Sequence, residues 1–354
     1  MIAINGRFLT QGLTGVQRYA CEMTRALDAL VAAGEAPPMR LVAPPGAQGL
    51  DAFPHLKPEI IGQRGGQLWE QLDLPRAAGG DFLLNLGNTA PVAQGRRQAV
   101  VIHDAGVFDT PESYSWKFRI WYRGLQRMLV FRGTRILSVS AFSAGRIASN
   151  LGLDPARIGV TLEGGEHILR EAADPAILAR HGLAAGGYAL VIGTGAAHKN
   201  LAALRHAIGA LAARGLLLAV AGAKDAAVFR QDGTPPSENV KPLGRVSDAE
   251  LRALYESALC LIFPSRYEGF GLPPIEAMWC GCPTVASRAG AVPEVCADAA
   301  LWFDAAHPES LGEVVARIAD APATRAALVT AGRARVREFS WDQAARRLLG
   351  FLPR

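Results

Sequence analysis

Leu259-Cys260-Leu261-Ile262-Phe263-Pro264-Ser265-Arg266-Tyr267-Glu268-Gly269-Phe270-Gly271-Leu272-Pro273-Pro274-Ile275-Glu276-Ala277-Met278 decides the fold class. Leu259–Phe263 is a short, wholly apolar run, the pattern of a strand buried on both faces. Gly269 and Gly271 break the chain after it and let the backbone approach a ligand closely. Pro273 and Pro274 then open a helix, which the pattern places over Pro274–Trp279, because a first-turn residue has no intrahelical use for its amide. Strand, glycine loop and helix in that order put free amides and a positive dipole end beyond a strand's carboxyl end, a surface suited to a diphosphate or to sugar hydroxyls. Glu268 lies in the loop, and the helix start expected at Pro274 puts Glu276 in the first turn. A carboxylate accepts from two adjacent hydroxyls, as a ribose or hexose presents them. The plainer alternatives are a carboxylate complementing the helix dipole at Glu276 and a solvated loop charge at Glu268.

Outward from this stretch the same rhythm fills the chain. Apolar runs at Ile2–Ile4, Met39–Ala43, Phe82–Leu84, Ala99–Ile102, Ile136–Val139 and Ile158–Thr161 alternate with helical patterns over Val16–Ala33 and Pro111–Arg132. A second series follows, with strands at Tyr188–Ile192, Leu216–Ala221, Leu259–Phe263 and Thr284–Ala286 and helices at Asn200–Ala213 and from Ser247, where Glu250 completes a capping box. Alternation of this kind predicts α/β architecture with doubly wound parallel sheets. Leu169–Leu183 has no strand pattern and is the expected hinge between two domains that flank a cleft. Ligands in such sheets bind beyond the carboxyl ends of the strands, so chemistry is sought in the loops that follow them.

Composition narrows the function. The chain has 354 residues and a formal charge of +5, with 18 Lys/Arg against 16 Asp/Glu in residues 1–175 and 19 against 16 in the rest. A charge spread this evenly is not the footprint of a nucleic-acid binder. Cys280-Gly281-Cys282 lacks metal or redox spacing, so the five cysteines read as small reduced core residues of a cytoplasmic protein. Arg7 interrupts the N-terminus before the apolar core of a signal peptide develops.

The segment Phe263–Val295 resembles glycosyltransferase family 4, retaining enzymes of GT-B fold. The resemblance rests on Glu268 and Glu276 with seven residues between them, the run Ala277-Met278-x-x-Gly281-Cys282-Pro283-x-Val285-Ala286-Ser287, and Gly290-Ala291-Val292-Pro293-Glu294. It extends over most of the chain and is strongest toward bacterial polysaccharide and O-antigen mannosyltransferases. It implies an acceptor-side domain over 1–172, a donor-binding domain over 173–338, and a last helix, 339–354, crossing back to the first. It also implies that Glu276 binds the nucleotide ribose, while Glu268 and the amides of Gly269, Phe270, Gly271 and Leu272 hold the transferred sugar.

Other strand-end loops join the same resemblance. Gly193-Thr194-Gly195-Ala196-Ala197-His198-Lys199-Asn200 fails as a dinucleotide fingerprint, since His198 stands where a third glycine belongs. It is similar to the family's phosphate loop, which implies that Lys199 neutralises the donor diphosphate, with Thr194 and His198 beside it. His103-Asp104 follows Ala99–Ile102 directly, and a histidine at that place in the family faces the donor sugar. Gly12-Leu13-Thr14-Gly15 resembles the first glycine loop, Gly244-Arg245-Val246 the segment that meets the base, and Glu294 lines the same pocket.

The expected reaction is same-face displacement. The diphosphate leaves, stabilised by Lys199 and loop amides, and its oxygen accepts the acceptor's proton. No metal or other cofactor is expected, and there is no Asp-x-Asp pair to hold one. Expected partners are a sugar-nucleotide donor, with GDP-mannose ahead of a GDP- or dTDP-deoxyhexose and UDP-glucose, and a glycan or lipid-linked glycan acceptor. A sugar-nucleotide epimerase and a non-catalytic donor-binding subunit are the alternatives. Trp116–Arg135 carries six Lys/Arg and no acid. Its arginines 119, 123 and 127 form one helical stripe, and Phe118, Trp121, Tyr122, Leu125 and Leu129 form another. This is the pattern of a solvated basic face or of a peripheral contact with the membrane's inner surface.

Overall fold

In the computed structural model, which describes residues 1–193, 196–222 and 238–353, the apolar runs pair into two parallel sheets. The first has the order β3-β2-β1-β4-β5-β6-β7. It is built from β1 (Ile2–Asn5), β2 (Met39–Ala43), β3 (Glu59–Ile60), β4 (Phe82–Asn85), β5 (Gln98–Val101), β6 (Arg135–Ser138) and β7 (Gly159–Val160). The second has the order β10-β9-β8-β11-β12-β13. Its strands are β8 (Tyr188–Ile192), β9 (Leu217–Ala221), β10 (Val240–Gly244), β11 (Cys260–Phe263), β12 (Thr284–Ser287) and β13 (Ala300–Phe303). Every pairing is parallel. The central strands are buried on both faces, as sheets covered by helices on both sides require. In each sheet the chain order reverses beside the first strand, at β1/β4 and at β8/β11, and such switch points open a crevice at the strands' carboxyl ends. Two doubly wound parallel sheets are the GT-B architecture that the resemblance implied.

The chain divides into Met1–Glu163 with Trp341–Arg354, and Gly164–Ser340. The division falls at Glu163/Gly164 rather than at 172/173, and Leu169–Leu183 is no hinge. Arg252 Nη1 donates to the carbonyls of Leu169 and Glu171, and Asp174 N donates to Ala249 O, so this stretch is bonded to the helix Asp248–Ser257 of the second unit. That helix starts with the expected capping box between Ser247 and Glu250. The Ser247 amide, then Arg180, hold the Glu250 carboxyl below its usual range. In the first unit, Trp341 of the last helix meets Tyr19 edge-on at 5.8 Å.

Two expected helices begin elsewhere. Asn200 takes a left-handed conformation (φ 53°), so regular helix starts only at Leu204. Pro111–Arg132 divides into a 3-10 turn at Pro111–Ser113 and the helix Trp116–Phe131, whose N-cap Ser115 accepts from Phe118 N. Among the described residues no helix is long and apolar enough to cross a membrane.

Cys260, Cys282 and Cys296 are buried and Cys280 half-buried. Burial pushes the thiols of Cys260, Cys280 and Cys296 up to about 12 and raises the Cys282 thiol well above its usual range. At pH 8 a thiol of that kind is thiolate in only about one molecule in 10⁴, and the thiolate is the reactive form. These four cysteines are therefore expected to resist iodoacetamide in the folded protein and to react on unfolding, which peptide mass spectrometry reads directly.

Candidate functional site

The loops after β8 and β11 meet at the switch point of the second sheet. After β8 the chain passes Gly193 and makes a 3-10 turn at Ala197–Lys199. After β11 it runs through Pro264–Phe270 to the helix Leu272–Trp279. Arg266 N donates to His198 O at 2.7 Å and Asn200 Nδ2 to Pro264 O at 3.0 Å, tying the two loops together. Lys199 Nζ then reaches Glu268 Oε1 at 2.8 Å and lies 5.8 Å from the centre of the Phe263 ring. The pair is 23% and 13% exposed. A pair this open to water contributes about 1 kcal/mol or less to stability, so stability alone gives little reason to hold a lysine and a glutamate together here.

Glu268 is braced from behind. Gly290 has φ +61°, and a Cβ built on it would lie 2.5 Å from Glu268 O and 2.6 Å from Glu268 N. Ala291 N donates to Glu268 O at 3.0 Å, and Ser287 Oγ donates to Ser265 O. Gly290→Ala is therefore expected to cost about 2–4 kcal/mol, combining overpacking with left-handed strain, and to remove activity by displacing Glu268. Thermal denaturation and a turnover assay check both, and an unchanged Tm would show that the brace does not hold Glu268.

Glu276 departs from the expected geometry. The helix begins at Leu272, because Gly271 at φ 109° makes the turn and both prolines fall in the first helical residues. Glu276 is its fifth residue, in the second turn, so it does not complement the dipole. It is buried, 6% exposed. His167 Nε2 bonds its Oε1 at 3.0 Å and the Tyr255 hydroxyl donates to its Oε2 at 2.9 Å. Burial, and then the Glu276 charge, raise the Tyr255 phenol well above its usual range, so it remains the donor. Neither His167 nor Tyr255 stands in a pattern that points to Glu276. They lie 109 and 21 residues from Glu276 in the chain, and the folding of the unit brings them to it.

Three strand-end glycines line the edge beside β8. Gly222, at φ +92°, would set a Cβ 3.1 Å from Gly193 O, and its amide donates to Gly244 O at 2.7 Å. Arg245 and Val246 follow directly, Arg245 exposed and Val246 half-buried. Thr194 lies outside the described residues. Gly269 is half-buried, and Phe270 and Leu272 turn their side chains inward, Phe270 edge-on to Phe339 at 5.7 Å. Glu294 opens the short helix Val292–Cys296, and its carbonyl accepts from Arg335 Nη2 at 2.7 Å.

The other residues singled out in the sequence belong to the first unit. His103 is buried at the end of β5, where its amide donates to Asn88 Oδ1 at 2.7 Å and its Nε2 to Leu86 O at 3.0 Å. Glu163 Oε1 lies 3.7 Å from its Nδ1, and Tyr19 meets the ring edge-on at 4.7 Å. Asp104 Oδ1 accepts from Gly106 N at 2.6 Å. Gly15 begins the helix Gly15–Ala32. Gly12 and Gly15 are exposed, and a Cβ on either meets nothing within 4 Å, so the unit itself does not demand glycine at these positions. At the β1/β4 switch point a pocket of about 390 Å³ is lined by Arg7, Gln11, Asn88, Asp104, Phe118 and Tyr122, among others. Arg7 is fixed in it by Glu70 Oε1 at 3.0 Å and Thr89 Oγ1 at 2.7 Å.

Comparison with known proteins bears on the family and the fold. The family model of glycosyl transferases group 1 matches residues 182–335. The chain is 32% identical over 258 residues to O-antigen chain mannosyltransferase B of Escherichia coli, an alignment covering 70% of this chain and 67% of the relative. It is 28% identical over 233 residues to O-antigen chain mannosyltransferase RfbU of Salmonella typhimurium, covering 64% of this chain and 62% of that one. In fold it is similar to the Anabaena protein Alr3699/HepE, solved in complex with UDP-glucose, with a TM-score of 0.73 at 18% identity over 99% of each chain.

Proposed function

Since the chain belongs to the glycosyl transferases group 1, we propose that it transfers a mannosyl group, with retention, from GDP-mannose to a hydroxyl of a glycan or lipid-linked glycan in polysaccharide assembly. The observation that carries the reading is the Lys199–Glu268 pair at 2.8 Å on the β8/β11 switch point, beside the amide end of the helix Leu272–Trp279. A nucleoside diphosphate leaving group needs a cation and backbone amides where its charge develops. Lys199, with the amides that follow Gly269, supplies both. Glu268 then takes hydroxyls of the transferred hexose, and Glu276, held by His167 and Tyr255, takes those of the ribose. His103 acts in positioning the sugar. With Lys199 and the amides carrying the leaving-group charge, turnover is expected to survive chelators.

Mannose is favoured over other hexoses because the two O-antigen relatives are named as mannosyltransferases. UDP-glucose is the second donor to test, since the Anabaena neighbour was solved with it. The test is incubation of the purified chain with labelled GDP-mannose, UDP-glucose or a deoxyhexose nucleotide, with and without a lipid-linked glycan extract. Label moving from GDP-mannose to the extract, with the anomer retained, is the expected result. A new sugar isomer formed from donor alone would identify an epimerase, and no turnover of any donor would leave a binding subunit.

A further inference from the structure

The two carboxylates of the second unit's site are held in opposite ways. Glu276 has fixed holders, His167 at 3.0 Å and the Tyr255 hydroxyl at 2.9 Å, and neither is a cation that a diphosphate would claim from it. The Glu268 carboxylate has one hydrogen-bond partner among the described residues, the Lys199 ammonium at 2.8 Å. That ammonium has no other hydrogen-bond or ion-pair partner among them, and also lies 5.8 Å from the centre of the Phe263 ring. The backbones behind both side chains are tied down. Asn200 Nδ2 donates to Pro264 O at 3.0 Å, Arg266 N to His198 O at 2.7 Å, and Ala291 N to Glu268 O at 3.0 Å. Lys199 can therefore change partner by rotating its own flexible stem, with no loop having to move.

We propose that Glu268 competes with the donor's diphosphate for Lys199, and so lowers the affinity of the site for the spent nucleoside diphosphate. The inference rests on the donor-site reading above. With an intact sugar nucleotide, hexose hydroxyls donate to Glu268, and Lys199 is released to the diphosphate. Once the hexose has been transferred those hydroxyls are gone. The carboxylate is left without donors and faces the diphosphate as a like charge. An ammonium has three donors and can touch both anions, but its single charge does not neutralise a carboxylate and a diphosphate together. The return of Lys199 to Glu268 restores the 2.8 Å pair and takes the cation away from the product. One carboxylate thus serves both ends of the cycle, holding the hexose while it is present and favouring release when it is not. The openness of the pair suits this use, because a partly exposed pair is weak enough to yield to an incoming diphosphate. Glu276 does not share the role, since His167 and Tyr255 keep its two oxygens occupied.

Calorimetric titration of the full chain with GDP, UDP and dTDP, then with the sugar nucleotide of the base that binds, tests the proposal. Glu268→Gln keeps the shape of the side chain and removes its charge. It is expected to tighten binding of the nucleoside diphosphate by about fivefold, the upper end for an exposed ion pair, and to slow its dissociation in stopped-flow displacement. The sugar nucleotide should gain less, because the same change weakens the hold on the hexose. In a Lys199→Ala background the gain from Glu268→Gln should fall to about twofold or less, since the contested cation is gone. An unchanged Tm shows that each variant folds. Nucleoside diphosphate affinity unaltered or weakened in Glu268→Gln would overturn the competition and leave the donor site in place. An equal gain in the Lys199→Ala background would also overturn it, making Glu268 a plain repelling charge. A parent chain that binds none of the nucleotides would overturn the donor-site reading and this inference with it.

Discussion

Lys199→Ala is expected to lower kcat by about 10²- to 10³-fold, the loss seen when one preorganised group facing a developing negative charge is removed. Stability should hardly change. The partly exposed Lys199–Glu268 pair is worth about 1 kcal/mol or less, and removing it leaves Glu268 half-buried with access to water. Lys199→Arg keeps the charge but replaces a compact ammonium with a planar fork, so partial activity is expected. His198 and Arg266 are basic residues on the two tied loops, and Arg266 N donates to His198 O. Steady-state kinetics with a saturating donor, alongside a melting curve, separates the effects. A Lys199→Ala enzyme with near-normal kcat would remove the leaving-group role.

Substitution of Glu276 is expected to act on stability and on donor binding together, and the two can be separated by the choice of side chain. Glu276→Ala takes the carboxylate partner from His167 Nε2 and leaves the Tyr255 hydroxyl its longer bond to Pro273 O at 3.3 Å, both in a buried space. A buried hydrogen bond to a charged group contributes roughly 1.5–3 kcal/mol. The alanine variant should therefore melt well below the parent, and its lost activity would say little about the ribose. Glu276→Gln keeps the volume and one acceptor oxygen but loses the charge. It should fold, with a higher KM for the sugar nucleotide and a smaller change in kcat, as expected when an interaction made equally in ground and transition states is removed. Tyr255→Phe is the companion variant. It removes the hydroxyl that donates to Glu276 Oε2 and keeps the carboxylate and its charge, so a rise in KM there would report on the orientation of the carboxylate. An unaltered KM in Glu276→Gln would make Glu276 a purely structural group.

Interior strands were legible because burial on both faces makes them continuous apolar runs. Met39–Ala43 and Tyr188–Ile192 match residue for residue. The strands that periodicity missed, β3, β10 and β13, all lie at sheet edges. An edge strand needs neither two apolar faces nor a full set of amides, and β10 accordingly carries Lys241 and Pro242. The glutamates and Lys199 were legible as residues, but their meeting was not. Lys199 and Glu268 are 69 positions apart and come together because β8 pairs with β11. The second-turn place of Glu276 was missed because a proline pair reads as a helix start, whereas here Gly271 makes the turn and the helix is already under way at Leu272. The apolar face that the helix Trp116–Phe131 turns outward through Trp116, Ile120, Trp121, Met128 and Phe131 was missed for a related reason. Spacing gives the stripes of a helix but not which stripe the protein covers, and that is decided by Val107, Phe108 and Pro111, which draw two arginines inward.

The claim that the donor diphosphate sits on the Lys199–Glu268 switch point is tested most directly by hydrogen exchange of the full chain, with and without the sugar nucleotide that raises its Tm most. The account predicts slowed exchange at the amides of residues 197–200 and 268–272, and loss of that protection in Lys199→Ala. Protection confined to other strand ends, with residues 197–200 and 268–272 exchanging as they do without nucleotide, would contradict it.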